Sequence, residues 1–352
     1  MITRIPLYLH AGFHKTGTTA IQHWAASNRE RLRQRGVLYP DYKPLFARTT
    51  DGHHFFAHAV AEKSKQLTVG QAADFASQWL DQARQAQSRV LLSAEPVCRH
   101  YLAGNPRGWR EARLRYLQRL AEMLSGFEVR PILVLRRQDD FVRSLYQERV
   151  ARSSIDSDFE SFHGTEEPKA RFLEVLRLFR EVFGPVRVLI YEDLIRTGLV
   201  SSFFSELEIE GLTFSDRQVV RGSLSVGETL IKARLNPYVK KKRQNMKLIR
   251  WLKSWRVRWS LRGTFTGNES LWCSPAERIE YLASFRDENR LIGEEFLDGR
   301  RLLFPELRDE AEAGKRHIEP AEIDDVVRKL VRGSARQLTG ILGPRIIDEL
   351  GV

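Results

Sequence analysis

The sequence predicts an α/β fold built on a parallel sheet. Short apolar runs rich in β-branched residues recur along the first 190 or so positions, helix-length stretches separate them, and the first run ends in a glycine-bearing loop that opens a helix. The strand candidates are "IPLYLHA" (5–11), "RVLLSA" (89–94), "VRPILVLR" (129–136) and "VRVLIY" (186–191). Each is continuous enough to be buried on both faces, as strands covered by crossover helices are.

After Phe214 the strand signals fade, and helical patterns at roughly 225–238, 245–260 and 275–297 suggest a helical addition packed on the sheet. The expected organisation is one domain over 1–304, carrying a basic tryptophan-containing amphipathic segment at 238–263, followed by a tail over 305–352. In that tail "PAEIDDVVRKLV" places Ile323, Val326, Val327 and Leu330 at helical spacing, which predicts one docked helix and no chemistry.

A chain of 352 residues, 42% of them hydrophobic, can bury a sizeable core. Cys98 and Cys273 stand far apart and in no ligand spacing, so neither a disulfide framework nor a zinc site is expected. The apolar run at the N-terminus is too short for a secretory h-region, and no window reaches the about eighteen apolar residues of a membrane span. A cytoplasmic protein is expected, with peripheral attachment to the inner face of a membrane left open. The formal charge is +12, and ten of the 57 lysines and arginines fall between Lys240 and Arg262, where no acid occurs. Outside that segment 47 basic residues face 45 acidic ones, so nearly all the excess is local.

The first strand leads into "GFHKTGTT" and then an amphipathic helix. Gly12 and Gly17 let the backbone turn tightly, so amides from Thr16 to Thr19 can face an anion at the helix N-terminus. Lys15 adds a full charge, and the Thr18 and Thr19 hydroxyls can donate to phosphate oxygens. A Walker A loop carries its lysine after the second glycine; here Lys15 precedes Gly17. In "LVLRRQDDFVRSLYQ", Arg136 ends a strand and Ser144 follows eight residues later on the next helix, where both can grip one phosphate.

Together, "HKTGTT" and the Arg136/Ser144 pair resemble the two phosphate signatures of sulfotransferases that use 3′-phosphoadenosine 5′-phosphosulfate. "NRERLRQRGVLYP", "VLIYEDL" and "RGSLSVGETLIKARLN" also read like bacterial members of that family, and the resemblance spans roughly 5–305. It implies a P-loop-like sulfotransferase core, no metal, and a donor site in which His14, Lys15, Thr16, Gly17, Thr18 and Thr19 take the 5′-phosphosulfate while Arg136 and Ser144 take the 3′-phosphate. Two departures stand out: Ala20 replaces a tryptophan that packs on adenine in many members, and no Arg-Lys-Gly triplet is present, leaving Arg221 as a substitute contact.

Sulfuryl transfer, like phosphoryl transfer, asks a protein for positioning and for stabilisation of charge on the leaving oxygen, a role that falls to Lys15. Glu95, after the strand "RVLLSA", stands where relatives place a catalytic Glu or His, and a carboxyl half-buried beside a phosphate is expected to have a raised pKa suited to a base. His53 and His54 in "TTDGHHFFAHAV" compete for that role, His54 ahead. His14 is expected to pack or hydrogen-bond structurally. The His54/His58 spacing in "HFFAH" lacks the acid of a zinc-protease motif and reads as a helix face. "VLIYED" resembles a Walker B strand, but Tyr191, Glu192 and Asp193 fit better as a strand end and helix cap.

The segment "KKKRQNMKLIRWLKSWRVRWSLRG" spaces Trp251, Trp255 and Trp259 four apart. As one helix it would suit an anionic membrane or an anionic glycan, or it would pack its tryptophans and solvate its charges. Nucleic acid is not expected, since no binding motif accompanies the patch. The function expected is sulfuryl transfer to a hydroxyl of a carbohydrate or glycolipid. The alternatives are a P-loop kinase or NTPase, and a non-catalytic membrane or polyanion adaptor.

Overall fold

The structure, a computed structural model, describes residues 4–43, 45–46, 50–102, 108–153, 155–209, 211–214, 224–262, 264–305 and 316–350. The chain forms two compact units: one from residues 1–137, 171–220 and 287–305, the other from 138–170, 221–286 and 306–352.

The first unit is the α/β part. In chain order it holds β1 (Ile5–His10), α1 (Thr18–Ser27), α2 (Arg29–Gln34), β2 (Val37–Leu38), α3 (His54–Val60), α4 (Val69–Gln85), β3 (Arg89–Ser93), α5 (Trp109–Met123) and β4 (Phe127–Leu135). The chain then enters the second unit with α6 (Gln138–Ala151) and α7 (Phe159–Glu166), and returns for α8 (Leu173–Phe183), β5 (Arg187–Ile190), α9 (Tyr191–Thr197) and α10 (Leu199–Ser205). The sheet order is β2-β3-β1-β4-β5 and every pairing is parallel. All four strands expected from the sequence are present; the added β2 is a two-residue edge strand.

Alternation along the strands explains the continuous apolar runs. Leu7, Leu9, Val90, Leu92, Leu133, Leu135, Val188 and Ile190 face one core with residues of α4, α5 and α8, whereas Tyr8, Leu91, Ile132, Val134 and Leu189 face another with Ile21, Trp24 and Ala25 of α1 and Phe203 and Phe204 of α10. Both faces of a strand are thus removed from water, and period-2 polarity disappears. α4 starts at a capping box in which the Thr68 hydroxyl accepts from the Gln71 amide and Gln71 Oε1 accepts from the Thr68 amide.

The second unit is mainly helical. Besides α6 and α7 it contains α11 (Val226–Leu235), α12 (Lys242–Leu252), α13 (Trp255–Leu261), α14 (Pro275–Ala283), and the helices Pro320–Gly333, Ala335–Leu342 and Arg345–Glu349. The tail therefore docks three helical segments rather than one, with Ile323, Val326, Val327 and Leu330 buried as their spacing predicts. The expected helix over 245–260 is two helices: Ser254 adopts an extended conformation (φ −67°, ψ 149°) and restarts the chain as α13. The break separates the tryptophans, leaving Trp251 in the core beside Leu248 and Leu252 while Trp255 and Trp259 are exposed.

Two buried polar clusters sit in this unit. Arg278 donates from Nε to Asp139 Oδ2 at 2.6 Å, both side chains being buried. Lys232 donates to Ser153 Oγ at 2.6 Å and to Asn236 Oδ1, and Asn236 Nδ2 in turn reaches Val150 O at 3.1 Å. The last of these bonds satisfies the Val150 carbonyl in the final turn of α6, where a helix leaves carbonyls without internal partners.

Candidate functional site

β1 ends at His10, and Ala11 and Phe13 continue its register by donating to Ile132 O (3.0 Å) and Val134 O (3.4 Å) of β4. The chain then turns through His14, Lys15 and Thr16 into α1. Lys15 has φ 64° and Gly17 φ 76°, so two left-handed residues reverse the backbone within three positions. Gly17 is the N-cap and offers no side-chain cap, and the helix bonds begin with Ala20 donating to Gly17 O at 2.9 Å. The first amides of α1 precede that bond, the arrangement that makes a helix N-terminus attract anions.

The left-handed lysine is unusual for a residue with a Cβ, costs roughly 1–3 kcal/mol, and persists because its surroundings hold it. Arg136 supplies part of that hold: Nη1 donates to the Lys15 carbonyl at 2.8 Å, and the guanidinium lies 4.9 Å from the centre of the Tyr191 ring. Arg136 Nε is buried and has no hydrogen-bond partner. Thr16 is buried, its hydroxyl donating to Phe13 O at 2.7 Å and lying 3.4 Å from the Thr18 hydroxyl; Thr19 is exposed. A side chain at Gly12 would meet His10 Nε2 at 3.0 Å, Thr16 Oγ1 at 3.2 Å and Thr18 Oγ1 at 3.4 Å. Three polar atoms converge there, and the His10 nitrogen is buried without a partner.

Beside the loop, the β3 end brings a second group. Glu95 opens a short 3-10 turn, Glu95–Cys98, and its Oε1 lies 2.5 Å from His14 Nδ1. Arg99 Nη1 approaches His14 Nε2 at 2.8 Å, and because a guanidinium only donates, His14 Nε2 accepts and the ring proton sits on Nδ1, toward Glu95. Burial alone would raise the Glu95 carboxyl, but the hydrogen bond and charge of His14, with Arg99 and His54 nearby, together outweigh it, so its pKa lies below the ordinary value. The raised pKa expected from the sequence is therefore reversed, because the carboxyl's neighbours are cations and donors.

Of the competing histidines, His53 is committed elsewhere. Its Nδ1 accepts from Ser93 N at 3.0 Å and its Nε2 lies 2.9 Å from Pro40 O; burial pushes its pKa down to about 3. It is a neutral structural imidazole. His54 begins α3, and its Nε2 lies 3.2 Å from Gln22 Nε2, which also donates to Ser93 O and Ser93 Oγ at 3.1 Å. Burial lowers the His54 pKa, against the raising influence of Glu95, so the ring is neutral at pH 7. His58, one turn on, reaches His100 Nε2 at 2.7 Å.

The structure thus gathers His14, Lys15, Thr16, Gly17, Thr18, Thr19, Glu95, His54 and Arg136 around the C-terminal ends of β1, β3 and β4. Ser144 is half-buried on α6, in the other unit, and Arg221 lies outside the described residues. Glu192 accepts from the Arg137 amide at 3.0 Å and Asp193 pairs with Arg300 at 2.6 Å, so "YED" closes β5 and starts α9. Cys98 is buried, donates to Ala11 O and has its pKa pushed up to about 12 by burial, which leaves the thiol unreactive. Gln22, Ser93 and Arg99 were not anticipated. Gln22 left a trace, being polar on a face of α1 that otherwise carries Ile21, Trp24 and Ala25.

No family model matches the chain, and no curated protein matches its sequence. Among solved structures it is similar to a sulfotransferase from Alicyclobacillus acidocaldarius, at 13% identity and a TM-score of 0.39, over 73% of this chain and 100% of that one.

Proposed function

We propose that the site transfers a sulfuryl group from 3′-phosphoadenosine 5′-phosphosulfate to a hydroxyl of a carbohydrate or glycolipid. The observation that carries this reading is the Arg136 Nη1 to Lys15 O bond, which ties together the two stretches that resemble the family's phosphate signatures. The loop also fits an anion on its own terms: uncapped amides at the start of α1, a polar cradle beside Gly12, and a buried Arg136 Nε with a donor to spare.

Bound there, the donor supplies an electron-poor sulfuryl group on a phosphate leaving group. Lys15 and the α1 amides meet the negative charge that grows on the departing phosphate oxygen. The Thr18 and Thr19 hydroxyls orient that phosphate, and Arg136 takes the 3′-phosphate. Glu95, ionised at neutral pH, accepts the acceptor's hydroxyl proton as its oxygen bonds to sulfur and the sulfur–phosphate oxygen bond breaks, while His14 Nδ1–H donates to Glu95 Oε1 across the 2.5 Å contact and holds the carboxylate in place. Gln22 and Ser93 keep His54 in place at the edge of the same cluster.

The test is transfer from sulfur-radiolabelled donor to a panel of oligosaccharides and glycolipids, wild type against Lys15→Ala. Label reaching an acceptor with wild type and not with Lys15→Ala is expected; equal transfer by both proteins would overturn the assignment.

A further inference from the structure

The basic segment of the second unit has a two-sided construction. Leu248, Trp251 and Leu252 of α12 and Val257 and Leu261 of α13 are buried with Ile231, Leu235 and the tail helices. That packing fixes the outward face. On α13 stand Trp255 and Trp259, 73% and 65% exposed and one helical turn apart, and on α12 Met246 is 56% exposed. Nine of the ten lysines and arginines of 240–262 are exposed.

Indoles exposed to this degree are uncommon, because they forfeit the burial that a large aromatic side chain gives. Here each has an arginine against it: Arg256 lies 5.5 Å from the centre of the Trp255 ring and Arg262 lies 4.8 Å from that of Trp259. Arg258, between them, is anchored to the buried Glu228 at 2.9 Å. Apolar rings thus project from a field of cations that has no acid of its own within the segment.

We infer that α12 and α13 form a peripheral docking surface for an anionic lipid membrane. The cations meet lipid phosphates and carboxylates, while Trp255 and Trp259 enter the boundary between headgroups and acyl chains, the layer amphipathic indoles prefer. A soluble polyanion would satisfy the charges without calling for two exposed indoles, so the tryptophans favour the membrane. Among the described residues no helix is long and apolar enough to cross a bilayer, so the contact is one of surface insertion. The inference rests on the second unit alone and holds whatever the first unit catalyses.

The experiment is co-sedimentation of the full chain with phosphatidylcholine vesicles, with and without phosphatidylglycerol, alongside retention on a heparin column. Wild type, Trp255→Ala/Trp259→Ala and Arg256→Glu/Arg262→Glu are compared, with circular dichroism melting to confirm that these exposed substitutions leave the fold intact. Wild type should bind only the phosphatidylglycerol vesicles, more weakly as salt rises. The tryptophan variant should lose at least about tenfold in vesicle affinity while its heparin retention stays the same. The charge variant should weaken in both. Vesicle binding unchanged in the tryptophan variant would reduce the surface to a general polyanion site, and absence of wild-type binding to anionic vesicles would overturn the inference outright.

Discussion

Replacing Gly17 with alanine tests how the loop is built. The residue holds φ 76°, where a Cβ costs about 1–2 kcal/mol. The new methyl would also stand 2.2 Å from Leu199 Cδ2 and 3.3 Å from its Cδ1 and Cγ. Leu199 begins α10 and packs on the sheet core, so moving it aside adds the roughly 1–3 kcal/mol typical of overpacking. Gly17→Ala should therefore destabilise the first unit by about 2–5 kcal/mol, read from urea denaturation followed by circular dichroism. In a double-mutant cycle with Leu199→Ala, the steric part should appear as coupling of about 1–3 kcal/mol, and the backbone part should remain. A Gly17→Ala protein as stable as wild type, or a cycle with no coupling, would refute this account of the turn.

Stability should fall as the solution is acidified. Desolvation pushes His10 and His53 from 6.5 down to about 3, so between those values the unfolded chain binds more protons than the folded one, and acid favours unfolding. Above about pH 6.5 the two groups have no effect, and in thermal melts His53→Gln should show a shallower loss of stability than wild type across the acid window. Glu95→Gln should slow transfer by about 10²–10⁴-fold while leaving binding of the bisphosphate product unchanged. Because the Glu95 carboxyl lies below its ordinary range, the acid limb of the wild-type rate profile should also fall below the usual carboxylate region. Arg278→Ala should cost about 3–5 kcal/mol in unfolding assays of the second unit, because it removes the guanidinium paired with the buried Asp139 carboxylate.

The sheet was legible because its strands are buried on two sides. Leu7, Tyr8 and Leu9 serve two cores, and only such a strand reads as an unbroken apolar run. β2 escaped because Val37 and Leu38 give too short a signal for periodicity. Helix spacing was equally plain in 320–331, yet the same spacing misled at Trp251, Trp255 and Trp259, where Ser254 restarts the helix and turns two of the three indoles to solvent. At the site, Lys15, Gly17 and Arg136 announced themselves through loop chemistry. The Glu95–His14–Arg99 chain did not, since nothing local in the sequence links a loop histidine to residues 81 and 85 positions away. The direction of the Glu95 pKa depended on those unseen neighbours, so burial alone gave the wrong sign.

The loop between β1 and α1 is proposed to bind the phosphosulfate end of a sulfuryl donor. Calorimetric titration of 3′-phosphoadenosine 5′-phosphate into wild type, Lys15→Ala and Arg136→Ala, each repeated with ATP–Mg²⁺, tests it most directly. Metal-independent binding of the bisphosphate is expected to weaken by roughly tenfold or more in both variants, a loss of at least one charge-assisted contact in each. Preference for ATP–Mg²⁺, or bisphosphate binding that neither substitution alters, would contradict it.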